Sequence, residues 1–317
     1  VKVDAGVDPM SCLPCPPNYV FPTKGRAHEA VRRALLALTR GRNLFLWGMP
    51  GTGKDALVHA FSSMARRPVM MVTFRPGTDL APWFYQRSIS QDGTGWEYGA
   101  LWEALVNGIE GRDGVRRAPV VLLSDVDRAD QAQQEWFRIL TDSISGRILD
   151  PEGKMVPIMK GTQFVCTANS CGTGDTRGRM TSSMSMDGSI LDRLGRAVEA
   201  DYLDWDDEVR ALIAKYPKLA EMVPQIFRKK NGNPGELGEA TAALRDEIRK
   251  GDLMAEFTHR GICRVLDEAE DLIWANGGDA PKQLLARSFK AWMDGMDEGN
   301  REVALKAIDP HVSGGSL

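Results

Sequence analysis

The residues best suited to chemistry open the segment GMPGTGKDA, residues 48–56. Gly48, then Met49, Pro50, Gly51 and Thr52, then Gly53 and Lys54 have the spacing of a loop that wraps phosphate groups. Glycines let backbone N–H groups approach phosphate oxygens, and a helix N-terminus after the loop adds a favourable dipole. Lys54 would reach the β- and γ-phosphates. The next position usually offers a Ser or Thr hydroxyl to Mg²⁺, but this chain has Asp55, followed by Ala56. A carboxylate beside a triphosphate repels it unless a cation lies between them.

The segment VVLLSDVDRA, residues 120–129, supplies a second group of candidates. In phosphate-binding folds of this kind one strand carries an Asp that orients the magnesium shell, and an acid beside it polarises the attacking water. Here the pair is Ser124-Asp125. A hydroxyl has become a carboxylate at position 55, and a carboxylate has become a hydroxyl at position 124. This reads as a reciprocal exchange, with Asp55, Ser124 and Asp125 at the metal and Asp125 replacing the water-polarising Glu one methylene shorter. A rival register makes Asp125 the metal-associated acid and Asp127 or Glu135 the base. It leaves Val126 where an acid is needed, so the exchange is preferred. A third reading is a degenerate site that does not hydrolyse. The ligands expected are ATP and Mg²⁺.

The elements that must position these groups follow from periodicity. NLFLWG is a short buried strand entering the loop, and KDALVHAFSSMARR is the helix leaving it. GRAHEAVRRALLALTR, before the strand, has the apolar spacing of an amphipathic helix. PVMMVTF, APVVLLSD and TQFVCTAN read as further strands, and the second is too uniformly apolar to keep one face wet. QAQQEWFRILTDS is helical. Strands alternating with helices imply an α/β domain around a parallel sheet. Turn residues Asp150, Pro151 and Gly153 suggest a β-hairpin over 147–160. Beyond about Asp206 the patterns are helical alone. The division expected is an arm over 1–23, an α/β domain over 24–205 and a small all-helical domain over 206–310.

Bulk properties narrow the class. The chain has 317 residues, a formal net charge of −3 and five scattered cysteines. An odd, dispersed cysteine count does not form a disulfide framework. Cys12 and Cys15 make one CxxC, too few ligands for zinc without a second pair. Near-balanced charge gives no global bias toward nucleic acid, and no apolar run approaches the roughly 20 residues of a membrane span. The expectation is a cytoplasmic protein.

The segment TANSCGTGDTRG, with Asn169 at the end of its strand, resembles the CobS ATPase subunit of cobaltochelatase and the neighbouring MoxR and dynein-related AAA+ ATPases. SILDRLGRAVEADYLDWDDEV and FTHRGICRVLDEAEDL resemble later segments of that family in the same order. The resemblance covers about residues 18–300 and implies an AAA+ P-loop domain followed by a helical lid. It assigns Asn169 to sensor 1, Arg193 to an arginine finger entering the neighbouring subunit's site, and Arg260 to sensor 2. Arg196 is an alternative finger. It further implies a homo-oligomer, a hexameric ring, acting on a protein partner, with a nucleotide-dependent scaffold or a nucleic-acid motor as other readings. The aromatics Trp83, Phe84, Tyr85, Trp96 and Tyr98 are candidates for partner contact or for packing, and the Met-rich segment 180–186 for a partner loop or a linker.

Overall fold

The computed structural model describes residues 19–77, 79–90, 93–111, 113–142, 146–174 and 184–312. Cys12 and Cys15, and residues 180–183 of the Met-rich segment, lie outside them. The chain divides into two compact units, one built on Arg26–Asp201, the other on Val20–Gly25 together with the residues from Tyr202 onward.

In the first unit α1 (Gly25–Thr39) precedes β1 (Leu44–Trp47), α2 (Lys54–Ala65) and β2 (Val69–Thr73). A short α3 (Ala81–Phe84), the hairpin strands β3 (Tyr85–Ser90) and β4 (Gly93–Tyr98), and α4 (Ala100–Val106) follow. The small ribbon β5 (Ile109–Glu110) and β6 (Arg116–Arg117) leads to β7 (Val120–Ser124), a 3₁₀ turn and α5 (Gln131–Asp142). The hairpin β8 (Arg147–Leu149) and β9 (Met155–Pro157) stands where turn residues placed it, before β10 (Gln163–Ala168), α6 (Gly188–Arg193) and β11 (Arg196–Glu199).

The sheet is five-stranded in the order β11-β1-β10-β7-β2, and every pairing is parallel. Both β7 and β10 are buried along their whole length, which explains the apolar runs Val120–Leu123 and Phe164–Cys166. Each buried Val or Leu contributes roughly 1.5–3 kcal/mol relative to exposure. The crossovers from β1 and β10 leave in opposite directions, so the crevice beyond their C-terminal ends is where a ligand fits a sheet of this kind.

Three features depart from the sequence reading. The fifth strand, β11, lies in the segment that carries Arg193 and Arg196 and shows no strand pattern of its own. The β3–β4 hairpin was not anticipated. Phe84 is buried and stacks on Trp136 at 4.7 Å, so it is core rather than partner contact. Met186 is likewise buried.

The second unit contains α7 (Trp205–Lys215), α8 (Pro217–Met222), α9 (Pro224–Phe227), α10 (Glu236–Lys250), α11 (His259–Ala275), α12 (Leu284–Met293) and α13 (Glu298–Ile308). Its core holds Leu212, Leu244, Phe257, Leu266 and Phe289. A buried Arg245–Glu208 pair, bidentate at 2.8 and 3.0 Å, ties α10 to α7. Thr23, which the sequence reading left in an arm, donates through its N–H and its hydroxyl to Asp207 at 2.7 and 2.8 Å. Residues Val20–Gly25 are thus part of the helical unit.

Candidate nucleotide-binding site

The phosphate loop begins where β1 ends. Gly48 has φ 148°, and a Cβ there would lie 2.2 Å from the Ala200 carbonyl oxygen just beyond β11, so only glycine fits. Gly53, the residue before α2, is left-handed at φ 78°, which turns the chain sharply into the helix. Between them the Thr52 hydroxyl donates to the Met49 carbonyl at 2.9 Å.

Parallel register sets the neighbours. Trp47 pairs with Ala168, so Asn169 emerges beside Gly48. The buried Lys54 ammonium donates to the carbonyls of Gly48 and Met49 at 2.7 and 3.1 Å and to Asn169 Oδ1 at 3.2 Å. The loop lysine and the residue proposed to sense the γ-phosphate therefore meet across two adjacent strand ends.

Asp55, in the first turn of α2, is held by hydroxyls from two other strands. Ser124, at the end of β7, donates to Oδ2 at 2.8 Å, and Thr167, on β10, donates to Oδ1 at 2.7 Å. Ser124 and Thr167 lie 3.5 Å apart and are both buried. Positions 55 and 124 do face each other, in contact. Thr167 was not found from sequence, because its role depends on which strand lies beside β7.

Asp125 is left-handed at φ 57° and ψ 45°, a costly conformation for a non-glycine residue. Half-buried, it faces Arg128 at 3.8 Å. Burial raises its pKa; Arg128 opposes the rise, and Asp55 and Asp127 add to it. Asp127, the base of the rival register, is hydrogen-bonded to backbone. Fully buried, it accepts the backbone N–H groups of Asn169 and Ser170 at 3.0 and 3.1 Å, fixing the turn that presents Asn169. Glu135 is exposed on α5.

Arg193 and Arg196 belong to the opposite end of the sheet. Arg196 pairs in register with Leu44, the first residue of β1, and its N–H reaches the Asn43 carbonyl at 3.3 Å. Arg193 borders a small cleft with Asn43, Leu140 and Phe164. Asn43 and Gly48 are five residues apart along an extended strand, so this end lies about 17 Å from the loop. Arg260 sits in the helical unit, exposed in the first turn of α11, where the Thr258 hydroxyl caps its N–H at 3.2 Å.

The donor set suits magnesium. Mg²⁺ takes hard oxygen ligands and is usually held by one or two carboxylates with water and substrate phosphates. Asp55, Asp125 and the Ser124 hydroxyl are such oxygens, and each Asp55 oxygen keeps a lone pair beyond its hydroxyl bond. Among the described residues no group of three or more His, Cys, Asp or Glu side chains could hold a metal ion.

A parallel sheet in this strand order, with the glycine loop after β1 and a polar residue after β10, defines the P-loop AAA+ class. Residues 43–194 match the family model of the AAA domain of the dynein-related subfamily. No curated protein matches the chain in sequence. Among solved structures, a mutant of Thermotoga maritima RuvB is similar at a TM-score of 0.51 and 15% identity, over 88% of this chain and 73% of that one. NtrX from Brucella abortus, in complex with ADP, is similar at a TM-score of 0.51 and 16% identity, over 84% of this chain and 53% of that one. At such identities the likeness is one of fold. No helix among the described residues is long and apolar enough to cross a membrane.

Proposed function

We propose that the chain is an ATP hydrolase of the MoxR/CobS branch of AAA+ proteins, working as a homo-oligomeric, hexameric ring that remodels a protein partner. The observation that carries this reading is the convergence of Lys54, Asn169 and the Asp55–Ser124–Thr167 cluster at adjoining strand ends. Backbone N–H groups of residues 51–55 and the Lys54 ammonium would hold the phosphates. Asp55, Ser124 and Asp125 would hold Mg²⁺, which when bound neutralises charge on the phosphates. Asp125, with its raised pKa, and Asn169 would position the attacking water.

Arg193 lies too far from its own loop to stabilise charge there, which favours its acting on a neighbouring subunit. Sensor 2 falls to Arg260 by the family resemblance. The β3–β4 hairpin supports contact with a protein, because Ile89 is 88% exposed, with Trp96 half-buried and Tyr98 exposed on the same ribbon.

Lys54→Ala tests the phosphate site, and loss of binding to a fluorescent ATP analogue is the expected result. Arg193→Ala should bind nucleotide normally and turn over more slowly, by up to the roughly 10³-fold or more that an arginine finger supplies. Mixing the two variants should restore part of the activity, since a mixed ring contains intact interfaces. Unchanged affinity in the first variant, or unchanged turnover in the second, would overturn the corresponding assignment.

A further inference from the structure

The solvent face of α11 carries an unusual side chain. Trp274 is 83% exposed, the most exposed aromatic side chain among the described residues. Glu270 and Asp271 lie four and three residues before it, at spacings that share its helix face, and both are exposed; Asp267, seven residues before, is exposed and accepts the Tyr216 hydroxyl at 2.6 Å. An indole flanked by carboxylates is poorly suited to free solvent and well suited to a basic, partly apolar recess.

The α/β unit contains such a recess. At the N-terminal edge of the sheet, away from the phosphate loop, a cleft of about 750 Å³ is lined by Arg66, Arg67, Arg116 and Arg117 above Phe61 and Met159. Four arginines in one cleft stand out in a chain whose net charge is −3. Arg116 and Arg117 are partly neutralised by Glu110 and Asp113. Arg67 instead donates to the carbonyls of Ala118, Pro119 and Gly161, so its charge stays in the cleft. Arg66, at the end of α2 in a left-handed conformation, is exposed at the cleft. Guanidinium groups stack on indole faces, and the half-buried Met159 thioether adapts to an aromatic ring.

We infer that the Trp274 face of one copy docks into the arginine cleft of the next copy. The two surfaces are complementary in charge and in apolar character, and the contact is head-to-tail. Repetition of a heterologous contact closes a ring when its rotation permits. The inference rests on the proposed ring and names the surfaces that would hold it. A bare polyanion would explain the arginines but would leave Trp274 without a partner.

The test uses the full chain with a slowly hydrolysed ATP analogue, with mass read by light scattering after size exclusion. Wild-type protein should assemble. Trp274→Ala should raise the concentration needed for assembly at least tenfold, and Asp271→Arg and Arg66→Glu should each prevent assembly. Circular dichroism should show these exposed-site variants folded. Mixing Asp271→Arg with Arg66→Glu protein should restore assembly, because alternating copies put opposite charges at every contact. Assembly of all three variants at wild-type concentration overturns the inference while leaving the ring intact. Single losses that mixing does not rescue overturn the cleft as the partner. Arg66→Glu losing affinity for a duplex DNA probe while assembling normally reassigns the cleft to nucleic acid. Wild-type protein that stays monomeric overturns both the inference and the ring.

Discussion

If positions 55 and 124 share one function, exchanging them singly should be harmful and exchanging them together should not. Asp55→Thr removes the acceptor of two hydroxyl bonds, at 2.8 and 2.7 Å. Hydrogen bonds to a charged group are worth about 1.5–3 kcal/mol each, and the half-exposed position argues for the low end. A threonine hydroxyl recovers one neutral bond of about 1 kcal/mol, so the loss is about 2 kcal/mol. Ser124→Asp places a second carboxylate beside Asp55 at a site only 3% exposed. At 4 Å and an effective dielectric constant of 20, the repulsion is about 4 kcal/mol, reduced where one acid takes up a proton.

The double variant has one hydroxyl and one carboxylate again, with Thr167 still able to donate to the carboxylate. Strict additivity predicts a loss of about 6 kcal/mol. Shared function predicts near wild-type stability, hence a coupling approaching about 6 kcal/mol. Urea denaturation of nucleotide-free protein in a chelator, over the α/β unit's transition, measures the four corners of the cycle. Mg²⁺-dependent nucleotide affinity should follow the same pattern. Additivity within about 0.5 kcal/mol on both measures would refute the exchange and return the choice to the other register.

Two further outcomes follow from buried groups. Asp127→Ala leaves the N–H groups of Asn169 and Ser170 without their acceptor, so the α/β unit should lose about 2–4 kcal/mol by urea denaturation, with weakened nucleotide binding as Asn169 shifts. Burial of the His259 ring opposes its charge, but hydrogen bonds to Cys263 and Glu208 outweigh it and raise the pKa to about 9 from the ordinary 6.5. A raised folded-state pKa gives stability that is complete below about pH 6.5 and lost as pH rises through about 9, so melting temperature should fall over that window. His259→Gln should flatten the profile.

The fold was legible wherever one short segment announced its own burial. LFLW and the runs VVLL and FVC within β7 and β10 are apolar because helices cover both faces of the inner sheet, and that pattern needs no partner to be recognised. β11 (Arg196–Glu199) carries only one buried residue, Val198, because it is an edge strand. Its residues therefore lack the signal that marked its neighbours. The β3–β4 hairpin failed for a related reason, since GTGWEY is almost wholly exposed and rests on ring contacts such as Tyr85–Trp96 at 5.7 Å.

The site divides along the same line. Asp55 and Ser124 could be paired from sequence because each departs from a pattern in the complementary sense, a hydroxyl lost at one place and gained at the other. Thr167 and Asp127 break no pattern, and their roles exist only after the strands are ordered. Thr167 matters because β10 lies beside β7 and brings its hydroxyl within 2.7 Å of Asp55. Asp127 matters because the turn after β7 passes under the turn after β10, where two backbone N–H groups need a buried acceptor. A pattern search would take Asp127 for the catalytic acid, as it is an acid two residues beyond Asp125. Its fully buried carboxylate instead accepts two backbone N–H groups in the turn that carries Asn169, whereas Asp125 is half-exposed and strained.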